Sequence, residues 1–144
     1  MNITEIRIKL LDDQPDKLRA FASLTIDTCL VVRDIKIIEG NRGLFVAMPS
    51  RKICDRCPSC GGKNHLRAGH CNDCGGELDA SRGGTDERGR ARLYADICHP
   101  IHQKARDLIH SAILEAYQTE AQRSREEGYV AAAFEDLDLD YVMS

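Results

Sequence analysis

Five of the seven cysteines lie between residues 54 and 74, and four of them form two copies of one short motif. The motif reads Cys-x-x-Cys-Gly-Gly and occupies residues 57–62 and 71–76. Two thiolates three positions apart in a tight turn can hold one side of a metal ion, and two such turns complete a tetrahedral set. The spacing therefore predicts one metal site, of the zinc-ribbon type, formed by Cys57, Cys60, Cys71 and Cys74.

The sequence alone leaves open the identity of the metal and the identity of one of its ligands. Zinc (Zn2+) is favoured because residues 53–90 have few aliphatic side chains to enclose a redox centre, although iron in a rubredoxin-like site uses the same spacing. Cys54 offers a different pairing with Cys57, and His65 or His70 offers a nitrogen ligand in place of a sulfur. Four sulfurs leave no coordination position for substrate, so we expect a structural site and not a catalytic one.

Several segments around the cysteines carry the pattern of β-strands. Apolar and polar side chains alternate over residues 2–11 and 18–27, and β-branched residues dominate 29–38. Residues 44–48 follow a Gly-Asn-Arg-Gly turn, and residues 93–98 form a later strand candidate. Short loops between consecutive strands predict an antiparallel sheet of about five strands.

A helix is predicted after the last strand. Pro100 suits the first helical position and Gly128 is a stop signal, so the helix is expected to run to about Glu127. Its apolar stripe comprises Ile101, Ala105, Leu108, Ile109, Ala112, Ile113 and Ala116.

These elements predict an α+β fold, an antiparallel sheet with a C-terminal helix, interrupted in a hairpin by the four-cysteine ribbon. The predicted domain comprises residues 1–52 and 92–128, the inserted ribbon 53–91, and an acidic tail 129–144. Because the insert has almost no aliphatic periodicity, metal binding is expected to stabilise it in place of a core.

Composition and charge limit the classes of function. The 144-residue chain has a formal net charge of −3, no apolar run long enough for a membrane span, and no export signal at its first residues. We therefore expect a cytoplasmic protein. Residues 51–110 carry eleven basic and eight acidic side chains, whereas 111–144 carry two basic and eight acidic. A mildly basic middle before an acidic tail is compatible with a polyanion-binding surface.

No set of residues indicates an enzyme. His99 and His102 flank the start of the helix, and His99 beside Pro100 is expected to cap the helix and fix the turn. Cys29 and Cys98 are expected to lie in strands as small buried apolar groups. The sequence contains no recognisable nucleophile–base pair, phosphate loop or carboxylate pair, so catalytic residues are not predicted.

Two stretches resemble one known family. Val-Val-Arg-Asp-Ile-Lys-Ile-Ile-Glu-Gly-Asn-Arg-Gly-Leu-Phe-Val-Ala-Met-Pro-Ser-Arg-Lys at 31–52 and Asp-Ile-Cys-His-Pro-Ile at 96–101 resemble the signature of the SpoVG family, the stage V sporulation protein G or septation regulators. The helix near residues 114–117 also fits. The resemblance covers residues 1–52 and 92–118, with the insert in place of a short hairpin connection and an added tail.

The resemblance implies a cytoplasmic homodimer that binds DNA or RNA and regulates septation, sporulation and gene expression. Arg51 and Lys52 occupy the matching basic position, and Arg88, Arg90 and Arg92 are expected on the returning strand of the same hairpin, where together they could neutralise phosphates. Trp is absent and aromatic residues are few, so we expect contacts with the phosphate backbone of the nucleic acid more than stacking on its bases. The alternative function is a protein–protein adaptor that grips a partner in division or transcription machinery through the ribbon or the tail.

The tail alternates acidic and apolar residues over 134–143. A flexible solubilising tail is the favoured interpretation. A strand that docks on a partner, or a polyanion mimic that covers the basic hairpin, is the alternative.

Overall fold

The computed structural model describes residues 1–11 and 17–131 of the chain. It contains two compact units: Met1–Pro49 together with the chain from Cys98 onward, and Ser50–Ile97. The predicted domain boundaries at residues 52 and 92 stay a prediction. The tail prediction for 134–143 lies outside the described residues.

The first unit is built on a four-stranded antiparallel meander. Its strands are β1 (Ile3–Leu10), β2 (Leu18–Ile26), β3 (Leu30–Gly40) and β4 (Gly43–Ala47), in the spatial order β1-β2-β3-β4. The α+β class and the antiparallel meander are thereby confirmed, and the four predicted strands agree with the observed ones to within a few residues.

Alternation in the strands places one face of this sheet in the core. Ala22 of β2 lies opposite Ile8 of β1 and opposite Ile35 of β3, so three apolar side chains form a row across the sheet. Such rows are the expected result of a period of two in each strand. One of the two register shifts between β2 and β3 lies where β3 passes Asp34, whose φ of 61° marks a bulge.

One helix, α1 (Gln103–Arg123), packs on the core face of the sheet. It starts later than predicted, because the N-cap is His102, whose Nδ1 accepts a hydrogen bond from the Ala105 N–H at 3.0 Å. The predicted capping by His99 is therefore wrong. The helix ends before Glu127, since the chain turns at Ser124 and Tyr129 returns to donate a hydrogen bond to Glu120 at 2.6 Å.

The core of the first unit joins sheet and helix. Only part of the predicted helical stripe contributes, because Ile101 precedes the helix and is 88% exposed, and Leu108 is 47% exposed. The buried residues of this core are Ile8, Ala20, Ala22, Leu24, Ile35, Ile37, Val46, Ile109 and Ile113.

The second unit contains two short antiparallel pairs. Strand β5 (Ser50–Lys52) pairs with β8 (Tyr94–Asp96), and β6 (Cys54–Arg56) pairs with β7 (Lys63–His65). The strand predicted at 93–98 therefore exists as β8, but it belongs to this separate pair and not to the main sheet, which has four strands.

Two cysteines outside the ribbon are placed differently from the prediction. Cys29 is exposed in the turn between β2 and β3, and Cys98 is partly exposed in a bend after β8. Neither lies in a strand or in the core, so their predicted role as buried apolar groups is wrong. Within residues 1–11 and 17–131, no helix is long and apolar enough to cross a membrane.

Candidate functional site: a four-cysteine metal centre and its basic surroundings

The four predicted ligand cysteines meet in the second unit. The sulfur atoms of Cys57, Cys60, Cys71 and Cys74 all lie within 4.8 Å of one another. The Sγ atoms of Cys57 and Cys74 are 3.8 Å apart, and those of Cys60 and Cys71 are 3.6 Å apart. A tetrahedron of sulfurs at the Zn–S distance has edges of about 3.8 Å, whereas a disulfide would bring two sulfurs to about 2.0 Å. The geometry fits four free thiol ligands around one ion.

Each Cys-x-x-Cys-Gly-Gly turn is closed by the same four hydrogen bonds. In the first turn, the Cys57 N–H donates to the Gly62 carbonyl at 2.7 Å and the Gly61 N–H donates to the Cys57 carbonyl at 2.9 Å. The N–H groups of Ser59 and Gly62 donate to the sulfurs of Cys57 and Cys60, both at 3.4 Å. The second turn repeats all four bonds at its equivalent positions. N–H donors around each sulfur stabilise the negatively charged thiolate, which is the form that binds a metal.

The first glycine of each pair makes these turns possible. Gly61 has a φ of 77° and Gly75 a φ of 74°, in the left-handed region that other residues rarely adopt. This conformation turns the next N–H, of Gly62 or Gly76, toward the sulfur of the second cysteine.

The side chain of Asn64 links the two turns, and the sequence patterns did not identify it. Asn64 is 1% exposed. Its Nδ2 donates to the Gly62 carbonyl at 3.2 Å and to the Cys71 sulfur at 3.3 Å, while its Oδ1 accepts from the Asn72 N–H at 2.8 Å. A single asparagine in a polar insert belongs to no repeated spacing pattern, so the sequence alone does not mark it.

Two of the four thiols have opposite pKa shifts in this arrangement. The backbone N–H of Cys74, the amide of Asn64 and the N–H of Asp73 lower the pKa of Cys71 to about 6. The N–H of Gly62 has the largest single effect and lowers the pKa of Cys60, but the sulfurs of Cys71, Cys74 and Cys57 together with desolvation raise this pKa to about 12. The free site therefore holds a thiolate at Cys71 and a proton at Cys60 near neutral pH.

The alternative ligands lie elsewhere in the ribbon. Cys54 and His65 are opposite each other in the β6–β7 pair, and the Cys54 sulfur donates to the Lys52 carbonyl at 3.6 Å. The backbone of His70 pairs with that of Glu77 in a single antiparallel β-bridge. Within the described residues, the four predicted cysteines are the group whose potential metal-ligand atoms cluster together.

Arg82 is the second residue that sequence reasoning missed. Its side chain is 13% exposed and forms an ion pair with Asp55 at 2.8 Å. The same guanidinium donates to the carbonyls of Ala68 at 2.9 Å and of Asp79 and His65 at 2.8 Å each. One planar cation thus joins three segments, at residues 55, 65–68 and 79. The small apolar cluster of this unit consists of Leu78 with Cys57, Cys71 and Ala68.

The structure separates the predicted nucleic-acid-binding residues into two sets. Arg51 and Lys52 are exposed on β5, opposite Ala95 and Tyr94 of β8. The returning strand begins only at Tyr94, so the prediction that it carries the three later arginines is wrong. Arg88 and Arg90 lie in a turn closed by the pairing of Thr85 with Ala91. Arg92 lies just outside this turn, where its N–H donates to the Gly84 carbonyl at 3.0 Å.

Within that turn Asp86 neutralises part of the positive charge. Its carboxylate pairs with Arg90 at 3.2 Å and accepts hydrogen bonds from the N–H groups of Arg88 and Arg90 at 2.9 Å. The bond from the Arg90 N–H is the main cause that lowers the pKa of Asp86. Asp86 therefore carries its negative charge at neutral pH, and Arg51 and Lys52 are the better candidates for phosphate contact.

Comparison with known proteins gives one consistent result. A profile of the SpoVG family matches residues 1–119. Three similar proteins share the description "Putative septation protein SpoVG". The protein of Caldicellulosiruptor bescii is 34% identical over 118 residues, which cover 82% of this chain and 92% of the relative. Those of Clostridium beijerinckii and Myxococcus xanthus are 35% and 31% identical, and the matches cover 89% and 96% of this chain and 100% of each relative. The chain belongs to the SpoVG family.

Proposed function

We propose that this protein is a cytoplasmic, nucleic-acid-binding regulator of the SpoVG type, involved in septation, sporulation or gene expression, with a structural zinc site. It acts by binding DNA or RNA without catalysing a reaction. Family membership supports the regulatory class. The observation that carries nucleic-acid binding is the exposed cationic pair Arg51–Lys52, held by the β5–β8 ladder in the same unit as the four-cysteine cluster.

Adjacent cations on a strand suit phosphate recognition. Successive side chains of a strand point to opposite faces, so Arg51 and Lys52 can reach phosphates on two sides of β5. Neutralised phosphates release counterions, which makes the affinity fall steeply with salt. Backbone contacts of this kind fix position on the nucleic acid more than they read sequence.

Zinc fits the four-cysteine centre best. The sulfur separations match a tetrahedral zinc–sulfur set. Two of the four cysteines are exposed, so the site would shield a redox-active iron poorly from solvent. A bound zinc would contribute the folding free energy that the small apolar cluster of this unit does not supply.

A homodimer completes the proposal. A cavity of about 950 Å³ lies between β1 and α1, with Leu108 and Ala112 of the helix on one side. Among the described residues β1 pairs only with β2, so its outer edge has backbone groups to offer a second copy. Replacing the 47% exposed Leu108 by Asp is expected to give a monomer in light scattering, and an unchanged dimer mass would exclude this face as the interface.

The direct test is fluorescence anisotropy with zinc-loaded protein, labelled duplex DNA and labelled single-stranded RNA at two salt concentrations. We expect affinity that weakens with salt. The double variant Arg51→Gln/Lys52→Gln should lower the salt slope for duplex DNA by about 2, one for each lost phosphate contact. A matched control, Arg42→Gln/Arg125→Gln, removes two exposed cations from the first unit and should leave the slope unchanged.

Absence of binding to both probes at low salt would contradict the proposal. A protein partner captured without nucleic acid, and lost when the cysteines are replaced, would then favour the adaptor function.

A further inference from the structure

The second unit contains a small cavity beside the cationic pair. Its volume is about 220 Å³, and it is lined by Lys52, His65, Leu66, Arg67, Leu93 and Tyr94. It is smaller than the ~300–1,000 Å³ of most small-molecule sites, which fits a single planar ring better than a whole cofactor.

Backbone hydrogen bonds hold the three wall segments together. Lys52 lies directly opposite Tyr94 in the β5–β8 pair. The Ile53 N–H donates to the Leu93 carbonyl at 2.9 Å, and the Leu66 N–H donates to the Ile53 carbonyl at 3.1 Å. These bonds join residues 52–53, 66 and 93–94, so the walls are preorganised before any ligand arrives.

The walls combine an aromatic ring with positive charge. Tyr94 is 48% exposed, which leaves part of its ring available for stacking. Lys52 and Arg67 are exposed cations. The His65 Nδ1 accepts a hydrogen bond from the Arg67 N–H at 3.2 Å, so a neutral imidazole carries its proton on Nε2, as a donor. None of the six described lining residues carries a carboxylate.

A neighbouring cavity shows what an unsuitable site looks like. It has a volume of about 500 Å³ and shares Leu93 and Tyr94, but its wall includes Asp86 and Glu87. The two carboxylates would repel a phosphate, whereas the smaller cavity offers only cationic or neutral polar groups.

We infer that the cavity formed by Lys52, Arg67 and Tyr94 is a subsite for one unpaired nucleotide of a single-stranded nucleic acid. The base stacks on Tyr94 between the side chains of Leu66 and Leu93, and Lys52 and Arg67 contact its phosphate. The inference rests on the proposed function and adds a preference for single strands, because a paired base in a duplex cannot enter a cavity of this size.

The test uses the full-length, zinc-loaded protein with a labelled single-stranded oligonucleotide and its duplex. Tyr94→Ala should weaken single-strand binding by about tenfold and change duplex binding by less than twofold. Tyr94→Phe keeps the ring and should retain single-strand affinity, and Arg67→Gln should weaken it. Equal zinc content in all variants shows that the ribbon remains folded.

A second measurement needs no variant. Ultraviolet crosslinking of an oligonucleotide that contains 5-iodouracil, followed by mass spectrometry, should place a crosslink on Tyr94. Unchanged single-strand affinity in Tyr94→Ala, an equal loss for both probes, or crosslinks confined to other residues would overturn the subsite. A nucleoside monophosphate that binds as tightly as the oligonucleotide would overturn the assignment to a strand. If the unaltered protein binds neither probe, the proposed function itself fails.

Discussion

The Nδ2 of Asn64 donates a hydrogen bond to the sulfur of Cys71 at 3.3 Å, and its bond to the Gly62 carbonyl at 3.2 Å joins this second cysteine turn to the first. The same side chain accepts from the Asn72 N–H, so both ends of the buried amide are used. An amide that orients and stabilises a thiolate ligand acts on the metal through that ligand.

Asn64→Ala should therefore lower zinc affinity by about 10- to 100-fold. The loss has two causes: the Cys71 thiolate loses a donor, and the Asn72 N–H loses its partner. Competition with a chromophoric chelator measures the affinity. Asn72→Ala removes an exposed side chain while the backbone N–H stays, so it serves as the control. An Asn64→Ala affinity equal to that of Asn72→Ala would contradict the linking role.

Arg82→Ala should destabilise the zinc-loaded second unit by about 2 kcal/mol, since a hydrogen bond to a charged group contributes roughly 1.5–3 kcal/mol net of the bonds that water would make. Asp55 would lose its partner, and three carbonyls would lose a donor. The proposed zinc binding would be coupled to folding of this unit, so zinc affinity should fall about 30-fold. Arg88→Ala is the matched control, as that residue uses only its backbone N–H in the hydrogen bond to Asp86. Equal zinc affinities in the two variants would argue against this stabilising role of Arg82.

Removal of metal should affect the two units differently. The second unit has only a small apolar cluster, whereas the first has a nine-residue core of its own. Hydrogen exchange after chelation should show loss of protection at β6 and β7 and retained protection at β2 and β3. Protection lost equally from both units would show that they unfold together.

The pH dependence of metal binding should change near pH 6. Zinc must displace any proton on its ligands, so each such proton makes affinity rise about tenfold per pH unit. With its pKa raised to about 12, Cys60 contributes one proton throughout the usual range. Cys71, with its pKa lowered to about 6, contributes a further proton only below that pH. The slope of log affinity against pH should therefore be steeper by about one below pH 6 than above it. Chelator competition from pH 5 to pH 8 measures the slope, and a constant slope would contradict the assigned acidities.

The sequence predicted the fold through local periodicity. Alternation in residues such as Ala20, Ala22 and Leu24 identified the buried face of β2, and all three are buried. The repeated Cys-x-x-Cys-Gly-Gly predicted that the four sulfurs meet, because spacing within each turn is set by the backbone. Metal binding itself stays a prediction.

Features that depend on distant residues were not predictable in the same way. Asn64 and Arg82 act through contacts with segments up to 27 positions away, and neither has a spacing pattern. The helix start was misplaced because Pro100 is a usual first helical residue, whereas the observed cap, His102, is not a residue type favoured at that position. Cys29 was placed in a strand because its neighbours are β-branched, although positive φ angles at Asp27 and Thr28 form a turn there.

The pairing of Ser50 with Asp96 and of Lys52 with Tyr94 brings the entrance and the exit of the ribbon side by side. The segment between them therefore begins and ends at one place, and its length is not fixed by the path of the rest of the chain. Loop closure costs little more for a long connection than for a short one. The segment between Lys52 and Tyr94 can therefore be exchanged without changing the strand pair that flanks it. A tight turn could replace it, and so could another module that binds a metal or a macromolecule.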